Sequence, residues 1–322
     1  MIDKKTFIKA TIINAACILL WGGLAIFDLS KRNMIAFLLE GFLVFMFVAF
    51  IIRDVFKYKA FLSVYEKNSF SCGKDVSTMR GHEFKPKEKT KGVIVMAPDF
   101  MATSETLNHY AEHFAREGYI TYTFDFNGGS VMGGKSDGKT TEMSVLTEVK
   151  DLDEVLTYVK NKNHKYSKDI ILVGFGQGGL VSALLASELK TKIQKLILVS
   201  PSFNIPDNAR AGYAMYGVFD PENIPDVIPC GMIKLGRKYV DDVMNMNVYE
   251  EIKGYVHDVL IVHGSEDEVC DVQYAKQVRD TYVNNTVNKR KVELEIIENA
   301  KHAFTKQEEK QAIEKIEHFI KK

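Results

Sequence analysis

Three short stretches of this chain carry residues that could act together on a small molecule. Gly174-Phe175-Gly176-Gln177-Gly178-Gly179 follows the apolar run Ile170-Ile171-Leu172-Val173 and precedes Leu180-Val181-Ser182-Ala183-Leu184-Leu185-Ala186. Strand, glycine-bracketed turn and helix make the sharp bend on which a hydrolytic nucleophile is presented, at the centre of Gly-x-Ser-x-Gly. Here the central residue is Gly176, which has no side chain to attack with. Acyl transfer by a hydroxyl also needs a histidine that takes the proton and an acid that orients the histidine. Asp267 comes just after the apolar Leu260-Ile261-Val262 and His263-Gly264, and His302 just after Ile296-Ile297-Glu298 and Asn299-Ala300-Lys301. Acid and base therefore follow the turn in chain order, each beyond a strand and at the same end of the sheet. Glu266 and Asp271 are alternative acids, and His263 reads as a structural strand end. Ser182, Thr103 and Ser104 lie too far from the bend, or in the wrong geometry, to replace the missing hydroxyl.

The elements that must position these residues are legible as alternating patterns. Strands are expected at Val93–Ala97, Tyr119–Phe126, Ile170–Phe175, Leu196–Ser200, Val259–His263 and Val292–Glu298. Helices are expected at Glu105–Glu117, Val145–Lys160, Gly179–Lys190, Val272–Tyr282 and Lys306–Ile320. Continuous apolar strands alternating with helices imply an α/β architecture, a mostly parallel sheet covered on both faces. The segment 55–86 should add one or two leading strands. Pro201–His257 breaks the alternation, holding five of the seven prolines with Phe203, Tyr213, Met215, Tyr216, Phe219, Tyr239, Met244 and Tyr249. It is too apolar for a disordered loop and reads as a cap over the strand ends, where open α/β sheets bind ligands.

Hydrophobicity is concentrated ahead of that domain. Ala10–Phe27 holds eighteen residues without a charge, and Met34–Ile52 nineteen with one, Glu40. Each approaches the ~20 apolar residues that cross ~30 Å of hydrocarbon. The first run has no small-residue cleavage site after it and is followed by a second, so two transmembrane helices fit better than a removed signal segment. Lys4, Lys5, Lys9, Arg53, Lys57 and Lys59 flank the pair outside, against Lys31 and Arg32 between them. Basic residues stay on the cytoplasmic side, so the expectation is a two-span cell-membrane anchor over residues 1–59. The domain at 60–322 then faces the cytoplasm, with the cap at 201–257.

With 42 basic and 42 acidic residues the 322-residue chain has no net charge, which argues against a nucleic-acid partner. Cys17, Cys72, Cys230 and Cys270 lack metal-binding spacing and fit a reducing compartment. No metal and no cofactor are expected.

Taken together, Phe124-Asp125-Phe126-Asn127-Gly128, Lys135-Ser136-Asp137-Gly138-Lys139, the glycine-rich bend and the Asp267 and His302 segments make residues 91–322 similar to α/β-hydrolases. The chain resembles the cinnamoyl and feruloyl esterase-like and lysophospholipase-like serine hydrolases within that superfamily. The resemblance implies an α/β-hydrolase fold with an inserted cap, and a lineage of carboxylic-ester hydrolysis. Ligands would be small acyl or aryl esters, or lipid-derived ones. Catalytic positions would be Gly176, Asp267 and His302, with oxyanion-hole N–H groups from Phe100 and Gln177. Tyr213, Tyr216 and Phe219 of the cap would contact substrate. Two departures stand out: Gly176 replaces the serine, and Pro98-Asp99-Phe100 replaces the usual His-Gly-Phe. Asp99 would bring a negative charge to where an oxyanion forms, which opposes its stabilisation. Such losses suit an impaired esterase or, alternatively, a pseudoenzyme that binds or senses a ligand. If the missing oxygen were the sole defect, Gly176→Ser would restore it within reach of His302.

Overall fold

The structure, a computed structural model, describes residues 4–62, 64–73, 78–129, 136–189, 193–285 and 290–322. It divides into two compact units, Met1–Glu66 and Lys67–Lys322.

The first unit is a helical pair, α1 (Lys4–Ser30) and α2 (Met34–Leu62). The Phe7 ring stacks on Tyr58 at 4.4 Å between centroids. Both helices are long and apolar enough to cross a membrane. Large apolar side chains such as Leu19 (78% exposed) and Ile35 (76%) are largely uncovered on this pair. Helix α2 runs ten residues beyond the apolar stretch, carrying Arg53, Asp54, Lys57 and Lys59.

In the second unit the elements begin with β1 (Tyr65–Cys72), β2 (Met79–Pro86), β3 (Gly92–Ala97), α3 (Asn108–Arg116) and β4 (Tyr119–Phe124). There follow α4 (Val145–Lys162), β5 (Ile170–Phe175), α5 (Gly176–Leu189), β6 (Lys195–Val199) and α6 (Ile205–Arg210). Short strands β7 (Tyr213–Ala214), β8 (Gly217–Val218), β9 (Val227–Cys230) and β10 (Ile233–Gly236) precede α7 (Lys238–Met244) and α8 (Val248–Glu251). The chain closes with β11 (Asp258–Gly264), α9 (Val272–Asn284), β12 (Val292–Ile297) and α10 (Lys306–Lys321).

Among the described residues eight strands form one sheet in the order β1-β2-β4-β3-β5-β6-β11-β12. Strand β2 runs antiparallel to β4, and the pairs from β4 through β12 are parallel. Every residue of β3 and of β5 is buried, as strands covered on both faces require. Leu152, Leu156 and Val159 of α4 and Leu180, Ala183 and Leu184 of α5 pack into the same core.

Several boundaries differ from the sequence reading for local reasons. Strand β4 stops at Phe124; the Asp125 N–H still donates to the Arg80 carbonyl at 3.0 Å, while its carboxylate turns to accept the Ser104 N–H at 2.5 Å. The expected helix from Glu105 opens as a 3-10 turn, Ser104–Leu107, before α3 begins. Helix α5 starts at Gly176, three residues earlier than expected, and Lys190 at its expected end lies outside the described residues.

The insert between β6 and β11 is folded and packed on the sheet's helices. Its α7 lies against α4 and α6, and its 3-10 turn Ile252–Gly254 against α5. Tyr239, Val240 and Val243 of α7 are buried in the core.

Candidate active site

The bend at Gly176 is built from backbone geometry that few residues tolerate. Gly176 has φ +49° at the junction of β5 and α5, in the left-handed region that glycine enters without a Cβ penalty. A Cβ at Gly178 would come within 2.2 Å of the Pro98 carbonyl oxygen, so this glycine lets the segment after β3 close onto the start of α5. That close approach brings Asp99 to Gly176.

Asp99 occupies the space that a side chain at position 176 would need. A β-carbon built on Gly176 would lie 1.8 Å from Asp99 Oδ1 and 2.0 Å from its Cγ. The same Oδ1 accepts hydrogen bonds from the backbone N–H groups of Phe100 and Gln177, both at 2.7 Å. These are the two N–H groups that the sequence reading expects at an oxyanion hole, and the Asp99 carboxylate takes up both. An anion there is also favoured by the N-terminus of α5. The second oxygen, Oδ2, stands 3.4 Å from His302 Nε2.

Beyond β12, His302 is reached through the turn at Asn299 (φ +60°), whose N–H donates to Ser265 Oγ at 2.7 Å. His302 Nδ1 meets Asp267 Oδ2 at 2.7 Å. Asp267 in turn accepts the N–H groups of Val269 at 2.9 Å and Cys270 at 2.8 Å through Oδ1. His263 is fully buried beside it, its Nε2 3.1 Å from Asp267 Oδ2 and 2.8 Å from the Cys270 carbonyl. Burial disfavours a charged Asp267, but the bonds from His263 and His302 and the Cys270 N–H outweigh it and hold its carboxyl far below the usual range. Burial likewise works against the His302 imidazolium, yet Asp267 and Asp99 on its two sides prevail and push it up to about 9. Around neutral pH the site is therefore a line of Asp267, protonated His302 and Asp99. Of the alternative acids, Asp271 caps α9 by accepting the Gln273 N–H at 2.7 Å.

Beneath the hole lies a polar network that sequence reasoning missed. The Gln177 amide donates to Glu148 Oε2 at 2.7 Å and accepts from the Tyr239 hydroxyl at 2.6 Å. Burial, partly offset by the Gln177 bond and reinforced by Asp151 and Asp99, pushes the Glu148 carboxyl up to about 8. It is thus mainly neutral at pH 7, which avoids a second buried charge beside Asp99. Glu148 stands in the amphipathic pattern of α4 as an acid among Val145, Val149 and Leu152; that misplaced charge was the available signal.

The motifs after β4 brace this floor. Asn127 donates its backbone and side-chain N–H groups to Asp151, each at 2.9 Å. Ser136 Oγ donates to the Asp125 carbonyl at 2.6 Å, and Asp137 pairs with Arg80 at 2.8 Å. Lys135 of the same motif lies outside the described residues.

A cavity of about 180 Å³ opens over Gly176, Asp99 and His302. Its apolar walls are Leu107, Tyr110, Phe175, Val199 and Phe304, with His109 and Glu309 also lining it. Ser200 lines it too, with φ +43° and a buried hydroxyl that has no hydrogen-bond partner among the described residues. The cap residues singled out from the sequence lie elsewhere. Tyr213 (50% exposed) and Tyr216 (77%) belong to the small β7–β8 hairpin, and Phe219 is buried; none of the three lines this cavity. The cap reaches the site instead through Tyr239, whose ring centroid is 6.0 Å from that of Phe100.

Sheet order, bend and acid–histidine sequence define an α/β-hydrolase fold, with an esterase-like resemblance. Residues 88–222 match the family model described as serine aminopeptidase, S33. The structure of Est1E from Butyrivibrio proteoclasticus with ferulic acid bound is 26% identical over 79% of this chain and 100% of that one, with a TM-score of 0.69. The esterase Pf2001 from Pyrococcus furiosus is 18% identical over 82% of this chain and 94% of that one, at a TM-score of 0.59. No curated protein matches the chain.

Proposed function

We propose that this chain is a membrane-tethered α/β-hydrolase-fold protein that has given up acyl-serine chemistry and keeps its pocket for a small, uncharged ligand. The observation that carries this reading is the Asp99 carboxylate seated in the oxyanion hole, on the N–H groups of Phe100 and Gln177. An ester carbonyl could not place its oxygen there without expelling a charge held by two hydrogen bonds, each worth roughly 1.5–3 kcal/mol. Nor does Gly176 offer an oxygen to acylate. Anionic ligands, including free aryl acids, are disfavoured by the same carboxylate. The neutral ligand class is drawn from the apolar walls at Leu107, Tyr110 and Phe175, and aryl compounds are included because the similar Est1E binds ferulic acid.

The tether is drawn from α1 and α2, and the excess of basic residues at the outer ends of the pair favours a domain on the cytoplasmic side. Two measurements test the reading. The purified chain should not react with a fluorophosphonate probe, and it should cleave 4-nitrophenyl acetate no faster than its His302→Ala variant. Labelling that His302→Ala abolishes would overturn it.

A further inference from the structure

The Asp99 carboxylate is more than a plug: it is held as a nucleophile would be held. One oxygen, Oδ1, is fixed by two backbone N–H groups, while Oδ2 faces the cavity beside His302 Nε2. The Asp99 side chain keeps 33% of its surface exposed, so Oδ2 is within reach of a ligand. A carboxylate can act as a covalent nucleophile, splitting one hard step into two easier ones.

We propose that Asp99 is the nucleophile of a covalent hydrolysis whose substrates are small, apolar epoxides. The inference rests on the absence of acyl-serine chemistry argued above, and adds an activity to the same site. Attack on an acyl carbon is excluded because the developing oxyanion would find the hole already filled by Oδ1. Attack on a saturated carbon needs no oxyanion hole. A departing halide takes up no proton and gains nothing from an acid beside it, whereas an epoxide oxygen leaves toward a proton donor, and His302 Nε2 is that donor.

In the first step Asp99 Oδ2 forms a bond to one epoxide carbon while that carbon's bond to the ring oxygen breaks. His302 gives its Nε2 proton to the oxygen and becomes neutral, leaving a hydroxyalkyl ester on Asp99. In the second step neutral His302, oriented by Asp267, takes a proton from a water that attacks Asp99 Cγ. The negative charge now appears on Oδ1, where the Phe100 and Gln177 N–H groups already sit; the hole serves this step. Collapse breaks the ester bond, and the alkoxide takes the proton of the new carboxylic acid. The diol leaves, with Asp99 ionised and His302 protonated as at the start. The groups facing His302 are Asp267 and Asp99, with the His109–Glu309 pair also lining the cavity. The proton donor is held up to about 9, so turnover should decline as pH rises through that value.

The test uses the full chain in detergent, with styrene oxide as the probe and water enriched in oxygen-18. Phenylethanediol should form, and the heavy isotope should accumulate in the Asp99 peptide over repeated turnovers, because the attacking water enters at Cγ. Asp99→Asn, which retains an acceptor for both N–H groups, should keep its melting temperature within a few degrees and lose diol formation by on the order of 10⁴-fold or more. Diol formation without label in Asp99 would mean direct attack by water and would overturn the proposal, as would no diol above the Asp99→Asn background. Fluorophosphonate labelling of the same preparation separates the two levels. An unlabelled chain that makes no diol loses only the epoxide chemistry, and a labelled one loses the reading beneath it.

Discussion

The carboxylate of Asp99 and the backbone of Gly176 share one position: a β-carbon on Gly176 would lie 1.8 Å from Asp99 Oδ1. The two departures from the serine-hydrolase pattern are therefore one change in space. A serine requires a small residue at position 99, and an aspartate at 99 requires glycine at 176.

Restoring the serine alone should consequently fail. Gly176→Ser must adopt φ near +49° and displace Asp99 from two hydrogen bonds, so a stability loss on the order of 2–4 kcal/mol is expected. Denaturant melts would record that loss, and fluorophosphonate labelling should stay at background. The paired change Gly176→Ser with Asp99→Gly frees the hole and the space together. It should label in a His302-dependent way; labelling by the single variant would contradict the steric coupling.

Stability should carry the signature of the charged line. His302 ordinarily titrates at 6.5 and is held up to about 9 in the fold. Its folded form binds the proton more tightly, so this contribution is full below 6.5 and is lost as pH rises through about 9. Asp267, held below its usual 3.8, contributes above that value and loses its contribution as pH falls through the lower folded one. Asp99→Asn should bring the His302 titration down, which nitrogen-15 chemical shifts of the imidazole would read. An unmoved titration would show that Asp99 does not act on His302.

Glu148 works in the opposite sense. Its carboxyl goes from 4.5 to about 8 on burial, so ionisation of the unfolded chain weakens the fold progressively across that interval. Glu148→Gln keeps an acceptor for Gln177 and removes the titration. Its advantage in thermal melts should grow from pH 4.5 to about 8 and then level off. Tyr239→Phe, which removes the hydroxyl from Gln177 Oε1, should cost about 1 kcal/mol at any of these pH values.

Ser200 offers a trade between strain and binding. Its φ of +43° and a buried hydroxyl with no partner among the described residues are both unfavourable without a ligand. Ser200→Gly should raise stability by on the order of 1 kcal/mol while weakening any ligand that bonds the hydroxyl. Tyr216→Ala, on the exposed β7–β8 hairpin, should change neither stability nor binding measurably. A large effect from Tyr216→Ala would return the hairpin to the binding site.

The tether can be tested by fractionation. The full chain should resist carbonate extraction from membranes, and a chain beginning at Val64 should be recovered folded in the soluble fraction. Protease added to intact cells should spare the domain; cleavage without permeabilisation would reverse the proposed orientation.

The sequence by itself determined the architecture and that Asp267 and His302 would meet at one end of the sheet. Apolar strands of five to seven residues ending in turn-forming stretches put Gly176, Asp267 and His302 at one end of a parallel sheet, because turn chemistry and strand periodicity are local. The two long apolar helices were legible for the same reason. What the sequence left open was where Asp99 points, since a side-chain direction depends on the backbone that surrounds it. Only the close approach of Pro98 to Gly178 turns that carboxylate into the hole. The cavity walls were likewise decided by packing: Tyr110 arrives from α3 and Phe304 from the turn before α10, while Tyr213 and Tyr216 stay on the surface. Aromatic composition marks a segment as foldable, but which of its rings meets a ligand depends on contacts between elements far apart in the chain.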